Sequence, residues 1–291
     1  MKLGLFHPSE FLKDNKKEYR EAVEFFKQKG FNVIEPDEKS KKYTTNVALA
    51  FEFNKMIKRN PEVILPTYCL ENTNSILELI DYKGIRKTKT TFFGNSYVTT
   101  ILNAIVSKTN NSVFYGPNLI RQFSSPERET TYIDLVDNLT NSIIEKGEFD
   151  DDNKLINDWK FEGTGTVKGI LFGGEIESLI KMWDSQYMPK LNSNNVVFID
   201  GIPDDIYEVE SILTFLQHKQ VFSKPKAIIF AKALIDNELL KEKVAEKLDK
   251  KSKVKFVYGV DGMFSDEVTI LKLNAPITID FENKKITQKN K

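Results

Sequence analysis

Thr91-Phe92-Phe93-Gly94-Asn95-Ser96-Tyr97-Val98-Thr99-Thr100 passes from a short apolar stretch through a Gly-Asn turn and a single serine into the apolar segment Ile101-Leu102-Asn103-Ala104-Ile105-Val106. The pattern predicts a buried strand, a tight turn and a helix, with Ser96 at the apex beside the first unpaired N–H groups of that helix. Two roles suit a serine there. It can cap the helix by accepting one of those N–H groups, or it can stand exposed above a sheet as a nucleophile on a strand-to-helix elbow.

The segments before the elbow repeat the same alternation. Lys2–His7 is a short apolar run ended by Pro8-Ser9; Tyr19–Gln28 carries a helical face of Ala22, Val23, Phe25 and Phe26, stopped by Lys29-Gly30. Phe31–Ile34 reads as a strand, Thr44–Lys58 as a helix, Glu62–Thr67 as a third strand, and Asn74–Ile80 as the start of another helix. Strands alternating with helices of this length predict βαβ units and a parallel sheet with right-handed crossovers. In such sheets the working groups sit where loops leave the carboxyl ends of the strands. The loops that meet there are Pro8-Ser9-Glu10, Tyr68–Asn72, Gly94–Tyr97 and Tyr115-Gly116-Pro117-Asn118. None carries G-x-G-x-x-G or G-x-x-x-x-G-K-[ST], so neither a dinucleotide nor a P-loop site is supported.

Composition narrows the class further. The chain has 291 residues, 40% of them hydrophobic and 29% charged, with 42 basic residues balancing 42 acidic ones. That length predicts two domains or one large α/β unit, and the charge balance points to neither nucleic acid nor an anionic membrane as partner. No apolar run approaches the ~20 residues that span a bilayer, and Met1–Phe6 leads into polar sequence, which predicts a cytoplasmic protein. The single cysteine, Cys69, excludes an internal disulfide and a cysteine metal cluster; the two histidines, His7 and His218, leave little for a histidine metal site, and no cofactor is implied.

Beyond Gln122 the character shifts. Ser124–Glu129 is polar and broken, and Glu148–Asn153 is an acidic run that reads as a solvated loop. A linker region over 122–163 would then join an N-terminal domain, 1–121, to a C-terminal domain, 164–291. In the second, Val167–Phe172, Asn195–Asp200, Ala227–Phe230 and Val254–Gly259 read as strands, and Ile176–Trp183 and Ile206–Leu216 as helices. Val268–Ile286 alternates around Pro276 and predicts two antiparallel strands. The fold class expected is α/β: an N-terminal Rossmann-like parallel-sheet domain and a C-terminal α/β domain with antiparallel terminal strands.

The ordered set of motifs resembles the serine LD-carboxypeptidase family, in particular its microcin C immunity branch, over nearly the whole length. Cys69-Leu70-Glu71-Asn72-Thr73-Asn74 stands where that branch has Gly-Gly-Tyr-Asn-Ser-Asn, followed by Ile80-Asp81-Tyr82 where it has "LDY". Gly94-Asn95-Ser96-Tyr97-Val98-Thr99 matches "GYSDxT" around the family's nucleophilic serine, and Tyr115-Gly116-Pro117 matches "YGP". Gly169-Ile170-Leu171-Phe172-Gly173-Gly174-Glu175-Ile176 is similar to "GxLxGGNL", and the Val196–Asp200 strand with Tyr207 stands where the family has its triad glutamate.

The resemblance implies an active site between the two domains, a homodimer, and a Ser-His-Glu triad that hydrolyses an amide next to a carboxylate. The substrates it implies are L,D-peptides or, in the immunity branch, aminoacyl-nucleotide-like inhibitors. Carried over by position, the catalytic pair is Ser96 and Asp200, one methylene shorter than glutamate, and the cleft-binding set is Cys69, Glu71, Asn95, Tyr97, Gly173, Gly174 and Glu175. The triad histidine falls at Met263 or Phe264 in Asp261-Gly262-Met263-Phe264-Ser265, and neither can take a proton. Tyr97 replaces an aspartate, and Cys69-Leu70 replaces the Gly-Gly of the oxyanion side. Two readings follow: a family member with impaired catalysis that binds a peptide or aminoacyl-nucleotide-like ligand, or an active serine hydrolase whose base has been rewired, to His7 or a water.

Overall fold

Apolar runs and helical faces in the first part of the chain become β1 (Lys2–Phe6), α1 (Lys16–Gln28), β2 (Asn32–Ile34), α2 (Asn46–Lys58), β3 (Val63–Pro66), α3 (Tyr82–Arg86), β4 (Thr91–Gly94), α4 (Thr99–Lys108) and β5 (Val113–Tyr115). After these come α5 (Leu119–Phe123), α6 (Arg128–Thr140), β6 (Ile143–Lys146), β7 (Lys160–Glu162), β8 (Thr166–Glu175), α7 (Ile176–Met182), β9 (Asn195–Asp200) and α8 (Ile206–His218). The chain finishes with β10 (Ala227–Ala231), α9 (Asn237–Lys247), β11 (Lys255–Val260), β12 (Leu271–Lys272), β13 (Pro276–Asp280) and β14 (Lys285–Lys289). This computed structural model describes residues 1–8, 15–36, 45–68, 73–151 and 154–290.

Two sheets result. The first has the order β12-β5-β4-β3-β1-β2 and is parallel except at β12; the second has the order β6-β14-β13-β8-β9-β10-β11-β7, parallel from β8 to β11 and antiparallel outside. The fold is therefore the expected mixed α/β arrangement, with a parallel-rich N-terminal sheet and a second sheet carrying antiparallel strands. Stretch 122–163 contributes α6 and both edge strands of the second sheet, β6 and β7.

The tail differs from the two strands expected of it. Three form, and the first, β12, crosses back to pair antiparallel with β5 on the first sheet (Leu271 with Tyr115) before β13 and β14 make their hairpin on the second. Leu271 and Ile270 are nearly fully buried, so covering the open edge of β5 also removes apolar surface from water. Pro276 is the first residue of β13, where its missing N–H costs the ladder little. The helix expected from Asn74 is a 3-10 stretch, Thr73–Leu79, whose Leu77 and Leu79 carbonyls accept from the Tyr82 hydroxyl and the Asn54 amide. Those outside donors occupy acceptors that α-helical continuation would use.

Helix α4 is the element that fixes the two sheets together. Every residue from Thr99 to Val106 is buried, as befits a helix enclosed on all sides, and it packs on β4, β5, α7 and β8. Asn103, fully buried, donates from Nδ2 to the Gly173 carbonyl at 2.9 Å and to the Thr99 carbonyl at 3.0 Å, while the Glu175 N–H donates to Thr99 Oγ1 at 3.0 Å. Glycine is required at two neighbouring positions, Gly173 against β9 and Gly174 against α4. Gly173 has φ +143° and a Cβ on it would lie 1.9 Å from the Phe198 carbonyl oxygen; Gly174 has φ +141° and its Cβ would meet Thr99 at 2.5 Å. A Gly173→Ala variant is expected to lose on the order of 3 kcal/mol or more in urea denaturation, because the clash is with the rigid backbone of β9; a loss below about 1 kcal/mol would mean that β8 and β9 yield more easily than this packing requires.

Candidate functional site

The carboxyl ends of four parallel strands converge on one place. Gly94 ends β4 in register with Tyr115 of β5, and Glu175 of β8 is in register with Asp200 of β9. Ser96 sits on the elbow after β4 with φ +54°, a left-handed conformation that few non-glycine residues adopt. Asn95 before it is extended, and Gly94 has φ +156° with a Cβ position only 3.0 Å from Pro66. The serine does not act as a cap: no side-chain bond caps α4 or the 3-10 turn Ser96–Val98 that precedes it. Among the described residues none hydrogen-bonds to its hydroxyl, and its N–H donates to the Tyr115 hydroxyl at 3.4 Å.

Asp200 is fully buried. Its Oδ2 accepts the Tyr115 hydroxyl at 2.7 Å and the Met263 N–H at 2.7 Å, and its Oδ1 accepts the Gly201 N–H at 2.7 Å. Burial pushes its carboxyl up to about 6, against the pull of these three bonds and the more distant Arg121 charge. Ser96 and Asp200 are thus brought together through one phenol, not by direct contact. Tyr115 is completely buried, and burial first, then the Asp200 charge, holds its phenol well above the usual range, so it stays a donor.

Met263 and Phe264, where the resemblance puts a histidine, lie in the turn that faces Asp200, and Met263 makes the contact. Its N–H is committed to Asp200 and its sulfur lies against Gly201, 3.3 Å from where a Cβ on that glycine would be. Gly262 gives Asp200 room: a Cβ there would be 2.5 Å from Oδ2. Ser265 closes the turn, its N–H bonding to the Gly262 carbonyl and its Oγ accepting the Gly262 N–H, and Phe264 is half-buried in that turn.

The remaining residues read from the sequence have these places. Asn95 is buried, its N–H donating to Asn118 Oδ1 at 3.2 Å and its Oδ1 accepting Asn118 Nδ2 at 2.6 Å. The Tyr97 ring lies under the Lys181 ammonium of α7 at 5.3 Å, and its carbonyl accepts the Thr73 and Thr100 hydroxyls. Glu175 is spent on capping α7, accepting the Glu177 N–H at 2.7 Å and the Ser178 N–H at 2.8 Å; burial pushes its carboxyl up. Gly173 and Gly174 meet Phe198 and Thr99 as described above. Cys69 and Glu71 lie outside the described residues. His7 is buried and its Nδ1 shares a hydrogen bond of 2.6 Å with Thr67 Oγ1, in a pocket walled by Leu49, Glu52 and Met56 of α2. His218 ends α8 beside Trp183 and Lys219. Neither imidazole bonds to the serine.

Residue-type reasoning passed over Tyr115, Asn118 and Gln122, whose Oε1 accepts the Asn118 N–H at 2.8 Å. The available signal was the Tyr115-Gly116-Pro117-Asn118 turn at a strand mouth. Among the described residues no group of three His, Cys, Asp or Glu side chains is placed to hold a metal ion, and no helix is long and apolar enough to cross a membrane.

The Asp200 carboxyl sets a pH dependence of stability. Its value is about 6 when folded and 3.8 when free, so between these the native state binds the proton more tightly, and stability rises as pH falls through that window. Asp200→Asn has no such term. In denaturant titrations the wild type is expected to gain on the variant as pH is lowered from about 6 toward 3.8; a constant difference would contradict the burial cost assigned to this carboxylate.

Comparison with known proteins supplies the lineage. The profile of the LD-carboxypeptidase N-terminal domain matches residues 3–116 and that of the LD-carboxypeptidase C-terminal domain matches residues 168–279. Microcin C7 self-immunity protein MccF of Escherichia coli is 30% identical over 304 residues, covering 94% of this chain and 88% of that protein. A putative carboxypeptidase of Vibrio cholerae is 30% identical over 298 residues, covering 91% and 87%. The solved structure of MccF with glutamyl sulfamoyl guanosine superposes with a TM-score of 0.86 at 27% identity, covering 99% of this chain and 95% of that one. MccF has also been solved with aspartyl sulfamoyl adenosine and, as a mutant, with adenosine monophosphate. With both domains matched in order and relatives at 30% identity over most of the length, the chain belongs to the LD-carboxypeptidase family.

Proposed function

We propose that this protein binds a small peptide or an aminoacyl-nucleotide-like ligand in the cleft between its two domains, and that its capacity to hydrolyse that ligand is impaired. The observation that carries the reading is the Ser96 hydroxyl: among the described residues none hydrogen-bonds to it, while the oxygens of Asp200 are taken by Tyr115, Met263 and Gly201. A serine nucleophile needs a base within hydrogen-bond reach and a carboxylate to hold that base. Met263 supplies a thioether where the resemblance puts a histidine, and a thioether takes no proton at neutral pH. The ligand class rests on the MccF complexes, and the family resemblance supports a homodimer.

A second reading, an active serine hydrolase with a rewired base, draws on the left-handed backbone of Ser96. Strain of that kind is costly and gathers at working sites.

Calorimetry with adenosine monophosphate and aspartyl sulfamoyl adenosine, paired with chromatographic assay of the second compound, separates the two. Binding is expected with turnover well under about 1 per second, the lower end of ordinary enzymes, and fluorophosphonate should label Ser96 poorly. Replacing both missing parts in Met263→His with Asp200→Glu is expected to raise hydrolysis by roughly 10²- to 10⁴-fold, the usual value of positioned acid–base help. Wild-type turnover of about 1 per second or more that disappears in Ser96→Ala would sink the first reading in favour of the second.

A further inference from the structure

The Tyr115 phenol holds together three segments that are far apart in sequence. Its ring, fully buried, stands edge-on to Phe198 of β9 at 5.0 Å. Its hydroxyl accepts the Ser96 N–H and donates to Asp200 Oδ2, and the same oxygen accepts the Met263 N–H. A continuous chain of hydrogen bonds therefore runs from the elbow after β4, through the ends of β5 and β9, to the Gly262–Ser265 turn.

We propose that Tyr115 is a positioning residue: through Asp200 it sets the Ser96 elbow and the Met263 turn against each other and so fixes the floor of the ligand cleft. The role in binding rests on the functional reading above; the bridge itself does not. All three partners of Asp200 are donors, and a carboxylate accepts from all of them at once. A protonated carboxyl accepts more weakly and adds an O–H that none of these three donors needs, so the bridge is tightest when Asp200 is ionised. The charged and titratable groups around Asp200 are Tyr115 on β5, Arg121 on α5 and Glu175 on β8. Glu175 is already bound by the Glu177 and Ser178 N–H groups, which leaves Tyr115 as the side chain that hydrogen-bonds Asp200. Its bond is the largest of the influences that hold the Asp200 carboxyl down against burial, so taking it away moves the midpoint up from about 6.

The test is a carbon-13 NMR titration of the Asp200 carboxyl, assigned with Asp200→Asn, in the wild type and in Tyr115→Phe, beside calorimetry with adenosine monophosphate over the same pH range. The Asp200 midpoint is expected to rise in Tyr115→Phe, adenosine monophosphate affinity at neutral pH to fall about tenfold, the equivalent of one well-placed hydrogen bond, and the acid limb of binding to move with the carboxyl. Fluorotyrosine at position 115, a stronger donor of the same shape, should move the midpoint down, and it keeps the idea testable if Tyr115→Phe does not fold. An unmoved midpoint in either variant overturns the bridge; a moved midpoint with unchanged affinity overturns its role at the cleft. If the wild type binds no adenosine monophosphate at any pH, the functional reading fails, and the carboxyl midpoint, which needs no ligand, still decides whether the bridge exists.

Discussion

A carboxylate removed from water must find donors for its oxygens, and at Asp200 they come from three places. Tyr115 reaches in from the first sheet, the Gly201 amide follows the carboxylate on its own chain, and the Met263 amide comes from the turn after β11. Each bond is charge-assisted and short, and leaving any of these donors unpaired in the interior would cost about 1–3 kcal/mol. The ends of both sheets are thereby held in one arrangement. Burial still exceeds what the bonds return, which is why the carboxyl lies near 6 instead of below its free value.

That arrangement depends on close packing behind it. Helix α4 is buried around its whole circumference because it lies between β4 and β5 on one side and α7 and β8 on the other. It can approach β8 so closely because Gly174 has no side chain to meet Thr99 and because Asn103 satisfies the Gly173 carbonyl. One hydrophobic core spans both sheets, from Phe92 and Ile105 to Phe172 and Phe198, so the elbow bearing Ser96 and the strand bearing Asp200 rest on the same packed layer. A second core, with Leu5, Phe26, Phe93 and Phe123, covers the other face of the first sheet.

The chemistry of the site is divided between geometry and partners. Ser96 has the elbow and the strained backbone of a nucleophile, and the chain belongs to a family of carboxypeptidases. On the proposed reading, the groups that would move its proton have been replaced by groups that hold the site still. Met263 donates an amide N–H and packs its sulfur on Gly201, Glu175 caps a helix, and Tyr97 leans under Lys181.

Local sequence determined the elements with strong periodicity: the parallel strands β1, β3, β4 and β9, the helices α1, α2 and α8, and the elbow that carries Ser96. Apolar runs and helical faces are local properties, and burial in a sheet or against it follows from them directly. The order of motifs also pointed to the family that the two matched domains show, and Met263-Phe264, where the resemblance puts a histidine, was legible in the same residues. Only the tertiary structure decided that β12 leaves its neighbours to close the edge of the first sheet, because an open edge is a property of the assembled sheet. It alone decided that Gly173 serves the contact with β9 and Gly174 the approach of α4, and that Glu175 is consumed by α7. The Tyr115-Gly116-Pro117 turn marks a strand mouth, but nothing local says what Tyr115 bonds; its role exists because the fold brings a carboxylate from 85 positions away to within 2.7 Å of its hydroxyl, and a buried charge takes whichever donors the packing delivers.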